Sequence, residues 1–205
     1  MYEVLEAGEC GDLHALLQER RLVTSEADCY FKQLFRGLAY LHKMGVVHRD
    51  IKPDNLVLTK DGLLKIADFG HSESFKTAKN PNGELIRGEW GSPRYMAPEI
   101  FDKKMFEAAP TDCWAAGIVY IAMRRYQPSW MTTRHGEDPY YAKYLEDRGK
   151  EEGYAPIEEL GTTERVHVIY SLLDPKAERR LTAKQFLQSE WANSIFLCES
   201  VGGGK

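Results

Sequence analysis

The chain has 205 residues and a formal net charge of −4, with 43% hydrophobic and 28% charged residues. This composition is ordinary for a soluble globular protein of one domain, and the charge argues against nucleic acid or an anionic membrane as the main partner. Four scattered cysteines, in a chain that begins without a secretory signal pattern, predict a cytoplasmic protein with reduced thiols. The longest apolar stretch, Cys113 to Met123, is too short to span a bilayer, so it predicts a buried core helix and no membrane insertion.

The first 45 residues predict a short strand and two helices. "YEVLE" is typical of a strand, and "DLHALLQERRL" is typical of a helix. The next stretch, "TSEADCYFKQLFRGLAYLHKMG", carries apolar residues at helical spacing. Ser25 and Asp28 are typical of a capping box at its start, and Gly45 is typical of a helix end.

The middle of the chain predicts a β-hairpin followed by a long loop. "NLVLTK" and "LLKIA" predict two short strands, and Asp61-Gly62 between them is a strong hairpin signal. Residues 71–98 are polar and rich in Gly, Ser and Pro, which favours a long functional loop. The pattern is helical again from Thr111 to "ANSIFLC", and we expect residues 199–205 to form a flexible tail.

The stretch "HRDIKPDN" at residues 48–55 places an acid, a lysine and an amide close together. Phosphoryl transfer needs a carboxylate that orients the attacking hydroxyl and accepts its proton, which Asp50 could supply. It also needs a positive charge at the transferred phosphoryl group, for which Lys52 is placed. Asn55 and Asp68 offer oxygen ligands for Mg²⁺, and the predicted hairpin would return the second ligand to the side of the first. The pattern therefore predicts a phosphoryl-transfer site.

These motifs together resemble those of the eukaryotic protein kinases. "HRDIKPDN" is followed by "DFG" at 68–70, "APE" at 97–99 and "DCWAAG" at 112–117, in the order and spacing of that family. The resemblance implies a protein-kinase-like α+β fold over residues 1–198, with a mainly α-helical C-lobe and a small β-hairpin element. It implies transfer of the γ-phosphoryl group from ATP to Ser or Thr hydroxyls of a protein substrate, with ATP and Mg²⁺ as cofactors.

The resemblance also implies roles for individual residues. Asp50 would be the catalytic base, Lys52 the phosphate-facing lysine typical of serine/threonine kinases, and Asn55 and Asp68 the magnesium ligands. The residues implied to support this site are His48, Arg49, Phe69, Gly70, Glu99, Asp112 and Arg180.

Each supporting residue has an implied partner or position. Arg49 would hold a phosphorylated activation loop, because phosphate favours charge-assisted pairing with arginine. Asp112 would fix the backbone of the catalytic loop, and Glu99 would form a buried ion pair with Arg180. Packing behind the site is implied for His48 and Phe69.

The stretch "VLEAGECGDL" resembles the end of the kinase N-lobe, the hinge and the start of the next helix. The implied ATP-binding residues are Leu5 as gatekeeper, Glu6, Ala7 and Gly8 in the hinge, and Val57 on the adenine floor. No glycine-rich loop or "VAIK"-like lysine precedes this stretch, so we expect the N-lobe to be missing. The terminal "VGGGK" lacks the preceding strand and the Ser or Thr after the lysine that a P-loop needs, so it does not replace the glycine-rich loop.

Three interpretations of the expected missing lobe stay open. The sequence is a fragment of an active kinase, a short protein that acts as an inactive interaction module or decoy, or a chain whose lobe another chain supplies. The side chains at positions 50, 52, 55 and 68 are of the types that phosphoryl transfer needs, which favours the first interpretation. The oligomeric state is not set by any pattern in the sequence.

The segment "GEWGSPRYMAPE" at residues 88–99 resembles the part of a kinase that docks the substrate. Ser72, Ser74, Thr77 and Ser92 are candidate regulatory phosphosites in and before it. The alternative, that each is an ordinary polar loop residue, stays open, so no phosphosite is singled out.

A narrower resemblance links the second half of the chain to the fungal halotolerance kinases. The stretches that carry it are "AMRRYQPSW", "EDPYYAKYLEDR", "GYAPIEEL" and "VIYSLLDPKAERRLTAKQFLQSEW". That group is associated with control of potassium transport and nutrient permeases. The resemblance thus implies signalling that controls ion or nutrient transport.

Overall fold

The computed structural model describes residues 8–76, 83–126 and 129–197. The described helices are α1 (Leu13–Glu19), α2 (Thr24–Lys43), α3 (Pro98–Asp102), α4 (Ala109–Arg125), α5 (Pro139–Asp147), α6 (Ala155–Glu158), α7 (Thr163–Leu172), α8 (Ala183–Leu187) and α9 (Glu190–Ser194). The described strands form two antiparallel pairs, β1 (Val46–Val47) with β4 (Glu73–Ser74) and β2 (Leu56–Leu58) with β3 (Leu64–Ile66). Short 3-10 turns cover Pro53–Asn55, Phe69–His71, Pro93–Tyr95 and Ala177–Arg179. The fold is mainly helical with small β elements, as the sequence predicts.

Helix α4 forms the centre of the core because almost its whole circumference is apolar. Its residues from Thr111 to Ile121 are buried, which confirms the predicted core helix. Helices α2, α6 and α7 pack against α4, and α2 also contacts α8 and β3. Aromatic rings fill the space between these helices: Phe31, Phe35, Tyr120, Phe186 and Trp191. Within the described residues, no helix combines the length and the apolar character that crossing a membrane requires.

Helix α2 begins at Thr24, but the predicted cap of Ser25 and Asp28 is wrong. The first turn is closed instead by Glu26, whose carboxylate accepts a hydrogen bond from the backbone N–H of Val23 at 3.1 Å. This local bond satisfies one of the N–H groups that a helix start leaves without a partner in the helix. The observed pair, Val23 and Glu26, lies two residues before the predicted pair.

Asp28 does not cap α2 because it lies on the buried face of that helix. Its carboxylate accepts a hydrogen bond from the Tyr120 hydroxyl at 2.5 Å and pairs with the Arg165 guanidinium at 2.8 Å. A buried charge is tolerated when it is paired and hydrogen-bonded. Asp28 thus joins α2 to α4 and α7.

Replacing Glu26 with alanine is expected to destabilise the fold by about 1 kcal/mol at neutral pH. The Arg20 guanidinium, together with the Val23 N–H, lowers the pKa of Glu26 despite partial burial. This stabilisation is therefore present above the ordinary carboxyl pKa and is lost as the pH falls through the lowered value. Thermal melts across this range should show the difference between wild type and variant shrinking in acid. Glu19→Ala, at an exposed position of α1, is the control. An equal loss in both variants would contradict the capping role.

The predicted hairpin is confirmed, with Leu56 opposite Ile66 and Leu58 opposite Leu64. Gly62 has a φ of 75°, which its turn position requires. Beyond the strands, the Ala67 N–H donates to the Asn55 carbonyl at 2.9 Å. The hairpin therefore brings Asn55 next to the residue that precedes Asp68.

The described parts of the predicted loop, residues 71–76 and 83–98, are largely irregular, but the body of the fold holds them at several points. Strand β4 pairs with β1, and Ile86 exchanges backbone hydrogen bonds with Phe106 at 2.9 and 3.0 Å. A small buried cluster lies beneath these parts: Val47, Phe75, Ile86, Phe106 and Ala108. The predicted first strand, Leu5, Glu6, Ala7, Thr77 and the tail lie outside the described residues.

Candidate active site

The loop between β1 and β2 gathers polar side chains around the carboxylate of Asp50. The Lys52 ammonium lies 2.8 Å from Oδ2 of Asp50, and the Asn55 side-chain NH₂ donates to the same oxygen at 3.1 Å. Oδ1 accepts hydrogen bonds from the backbone N–H and the hydroxyl of Ser92 at 2.9 and 3.1 Å. The structure thus brings together three of the predicted catalytic residues and adds Ser92.

These donors keep Asp50 ionised although it is only 4% exposed. Burial by itself raises the pKa of the carboxyl, but the charge and hydrogen bond of Lys52 and the two donors of Ser92 outweigh it, so the pKa lies below its ordinary value. The anionic form persists until the pH falls through that lowered pKa. A hydroxyl that reaches this carboxylate would meet a charged hydrogen-bond acceptor at neutral pH.

Ser92 reaches Asp50 because Gly91 allows the two segments to approach closely. Gly91 has a φ of +102°, and a Cβ atom at this position would lie 2.3 Å from the Arg49 carbonyl oxygen. The Ser92 hydroxyl also accepts a hydrogen bond from the Lys52 ammonium at 3.1 Å. From the sequence, Ser92 was predicted only as a candidate phosphosite, and its contact with Asp50 was missed. The available signal was a glycine followed by a hydroxyl residue in a segment already predicted to dock a substrate.

Asn55 and Asp68 fit the donor chemistry of a magnesium site. The Asn55 NH₂ donates to the Asp50 backbone carbonyl at 2.9 Å and to its carboxylate, so the amide oxygen is the end that can face a cation. Asp68 is exposed, and one of its carboxylate oxygens accepts from the Gly70 N–H at 3.2 Å. Among the described residues no cluster of three His, Cys, Asp or Glu side chains forms a metal cage. This pair suits Mg²⁺, which typically takes one or two protein ligands together with phosphate oxygens and water.

Asp112, in the first turn of α4, lies beneath the predicted catalytic loop, residues 48–55. Its carboxylate accepts hydrogen bonds from the backbone N–H groups of His48 and Arg49 at 2.9 Å each, and Nε2 of His42 lies 2.9 Å away. Arg49 has a φ of 69°, a left-handed conformation that costs energy for a residue with a Cβ. The bonds from Asp112 therefore hold a strained backbone directly before Asp50.

His48 and Phe69 differ in burial, although both were predicted to pack behind the site. The His48 ring is fully buried, and its Nε2 lies 2.9 Å from the Ala67 carbonyl oxygen. The Phe69 ring meets the edge of the His48 ring at a centroid distance of 5.0 Å, yet Phe69 is 44% exposed. Phe69 therefore contributes an apolar surface next to Asp68, a candidate magnesium ligand.

Of the predicted ATP-binding residues, Gly8 and Val57 are described and lie in contact. A Cβ atom at Gly8 would lie 2.8 Å from the Val57 Cβ, so a larger residue would collide with this side chain. Val57 also forms an isolated antiparallel bridge with Asp12. Val57 lies in β2, the strand that begins directly after Asn55, so Gly8 packs against the strand next to that residue.

Comparison with known proteins decides the family. The protein kinase domain model matches residues 1–192. The chain belongs to the protein kinase family. It is 46% identical to the serine/threonine-protein kinase hal4 of Schizosaccharomyces pombe, over 98% of this chain and 32% of that protein. It is 48% identical to HAL4/SAT4 of Saccharomyces cerevisiae, over 97% of this chain and 33% of that protein, and 37% identical to HAL5 of Candida glabrata, over 97% and 26%.

By family, the chain is thus a protein serine/threonine kinase, and its predicted resemblance to the halotolerance kinases is confirmed. The chain spans about a third, or less, of the length of these curated relatives.

In this kinase the supporting pair Glu99 and Arg180 is fully enclosed. The guanidinium binds both carboxylate oxygens, at 2.5 and 2.7 Å, and the two side chains are 1% and 0% exposed. Arg180 also donates to the Asp174 carbonyl at 2.7 Å, and its charged group lies 4.8 Å from the centre of the Trp114 ring. The pair ties α3 to the segment before α8.

The predicted phosphate-holding residue of this kinase, Arg49, has a different partner in the structure. Its guanidinium forms an ion pair with Glu73 of β4 and lies 5.6 Å from the centre of the Trp90 ring. The sequence motif identified Arg49, but it contained no signal for an acidic partner at residue 73.

Proposed function

We propose that residues 1–198 form the hinge and C-lobe of a serine/threonine kinase catalytic domain. The domain would transfer the γ-phosphoryl group of ATP to Ser or Thr hydroxyls of a protein substrate. The observation that carries the proposal is the ionised carboxylate of Asp50, whose two oxygens are held by Lys52 at 2.8 Å and by Ser92 at 2.9 Å. Asn55 and Asp68, the candidate magnesium ligands, follow it in the chain. Phosphoryl transfer depends mainly on positioning and electrostatic stabilisation, which such a rigid cluster can supply.

Each residue has a defined task in this proposal. Asp50 orients the acceptor hydroxyl and accepts its proton as the bond to phosphorus forms. Lys52 places its positive charge where negative charge spreads over the transferred group, and Ser92 holds both side chains in position. Asn55 and Asp68 would bind Mg²⁺, which neutralises phosphate charge when ATP is present.

Replacing Ser92 with alanine is expected to lower kcat up to about 30-fold, since two side-chain hydrogen bonds of roughly 1 kcal/mol each are lost while the backbone bond to Asp50 remains. Ser92→Thr retains the hydroxyl and should keep activity near that of the wild type. Steady-state kinetics with a protein substrate would measure both variants. Equal losses in the alanine and threonine variants would show that the hydroxyl has no positioning role.

The resemblance to the halotolerance kinases supports a narrower proposal. The kinase would act in signalling that controls ion or nutrient transport. Its proposed cytoplasmic location has a separate basis, the scattered cysteines of the sequence. The stretches that carry this resemblance contain none of the proposed catalytic residues, so it concerns the pathway and leaves the chemistry unchanged.

A second candidate function is a non-catalytic interaction module. The observation that favours it is the 44% exposure of Phe69 next to Asp68, a proposed metal ligand, because exposed apolar groups suit a binding surface. Residues 50, 52, 55 and 68 keep chemically competent side chains, which favours the kinase.

Titration calorimetry with Mg-ATP separates the two candidates. A kinase is expected to bind Mg-ATP in a magnesium-dependent way, and Asp68→Asn should remove this dependence. Asp61→Asn, the same chemical change in the exposed hairpin turn, is the matched control and should bind normally. A folded full-length protein that binds no nucleotide would favour the interaction module.

A further inference from the structure

The guanidinium of Arg49 is enclosed, with only 11% of its side chain exposed. A charge in this position is costly unless an anion compensates it. The structure supplies the anion from the chain itself, as the carboxylate of Glu73, and the Trp90 ring covers a face of the guanidinium at 5.6 Å. Arg49 is therefore neutralised by Glu73 without any added group.

Glu73 is held beside Arg49 by the backbone. Its strand β4 pairs with β1, and within that pair Glu73 lies opposite Val47. Strand β1 leads directly into the catalytic loop, whereas β4 belongs to the segment that carries Ser92. The ion pair therefore connects the catalytic loop and this segment at the point where their backbones already meet. We call the described residues 71–76 and 83–98 the activation segment.

The described serine hydroxyls of the activation segment are engaged elsewhere. Successive side chains of a strand point to opposite faces, so within β4 Ser74 lies on the face away from Glu73. The Ser72 hydroxyl donates to the Phe69 carbonyl at 2.7 Å, and the Ser74 hydroxyl donates to the Lys76 carbonyl at 3.0 Å. The Ser92 hydroxyl is bound at Asp50.

We infer that Glu73 is a built-in anionic partner of Arg49, which orders the activation segment and positions the catalytic loop without a phosphate. A carboxylate can replace a phosphate here because Arg49 requires negative charge and a hydrogen-bond acceptor, and both groups supply them. The regulatory part of this inference rests on the proposed kinase function. The ion pair between Arg49 and Glu73 is independent of that function. On this inference, Glu73 is a positioning residue and the kinase is active when unphosphorylated.

The test uses the natural full-length protein after phosphatase treatment. Glu73→Gln removes the charge and keeps the shape, and Glu73→Asp restores the charge on a shorter side chain. Glu84→Gln makes the same chemical change at an exposed position of the same segment and is the matched control. Amide hydrogen exchange in residues 83–96 reports order independently of catalysis. Steady-state kinetics give kcat and the KM for ATP.

We expect phosphatase treatment to leave exchange in wild type unchanged. Glu73→Gln should speed exchange about tenfold and lower kcat about tenfold, with the KM for ATP within about twofold of the wild type. Glu73→Asp should recover most of the exchange protection and most of kcat. Glu84→Gln should change neither exchange nor kcat. Faster exchange of the wild type after phosphatase treatment would mean that a phosphate holds Arg49 and would overturn the inference. Unchanged exchange in Glu73→Gln would also overturn it. If exchange responds as expected but no form transfers phosphate, the ion pair stands and the proposed kinase function fails.

Discussion

Asp50→Asn is expected to lower kcat by about 10²–10⁴-fold, because an amide cannot accept the proton that a general base removes. The substitution keeps the shape of the side chain, so the bonds from Ser92 have an acceptor oxygen in the same place. Lys52 and the Asn55 NH₂ group lose their acceptor at Oδ2. The Lys52 side chain is 23% exposed and can reach water, and Asn55 keeps its bond to the backbone carbonyl of residue 50 at 2.9 Å. Mg-ATP affinity and the melting temperature should therefore remain close to those of the wild type.

The matched control for this prediction is Asp54→Asn, an exposed carboxylate in the turn that contains Asn55. It makes the same chemical change four residues away and should leave kcat within about threefold, as expected for a surface substitution. Retention of the wild-type rate in Asp50→Asn would contradict the base assignment. Because the pKa of Asp50 lies below its ordinary value, the acid limb of the wild-type rate profile should also lie below the ordinary aspartate range.

Arg180→Ala is expected to destabilise the fold by about 3–5 kcal/mol, which lowers the melting temperature by on the order of 10 °C in a chain of this size. The reason is that Glu99 would remain as a buried charge without a partner. The loss would also remove the guanidinium from the face of Trp114 and from the Asp174 carbonyl. The effect should be seen equally in thermal and chemical denaturation.

Arg179→Ala provides the control, because Arg179 is the preceding residue and is exposed. The change in composition is identical, so the difference between the two melting temperatures isolates the buried pair. We expect Arg179→Ala to fall within about 0.5 kcal/mol of the wild type. Equal melting temperatures for the two variants would show that the enclosed pair makes no net contribution.

The centre of the site could be predicted from sequence because its parts lie close together in the chain. Asp50, Lys52 and Asn55 lie within six positions, and the Asp61-Gly62 turn signals the hairpin that returns the chain to Asp68. The core helix at α4 could be predicted as well, because its apolar run has no polar face. In both cases local pattern and tertiary structure agree.

The missed features depend on contacts between distant parts of the chain. Ser92 reaches Asp50 across 42 positions, and Glu73 meets Arg49 through the β1–β4 pair, whose two-residue strands carry no recognisable periodicity. Asp28 was assigned to a cap because its partner, Arg165, lies 137 positions away. Local propensity describes what a residue can do near its own backbone, whereas burial and pairing decide what it does in the fold.

Transfer of labelled γ-phosphoryl groups from ATP to a mixture of acceptor proteins, followed by phosphoamino-acid analysis, tests the central claim most directly. The measurement uses the full-length protein and its Asp50→Asn variant under identical conditions. We predict label on phosphoserine and phosphothreonine with the wild type, and label at least about 100-fold lower with the variant. Absence of transfer by a folded protein that binds Mg-ATP, or equal transfer by both proteins, would contradict the assignment of Asp50, Lys52, Asn55 and Asp68 as a phosphotransfer site.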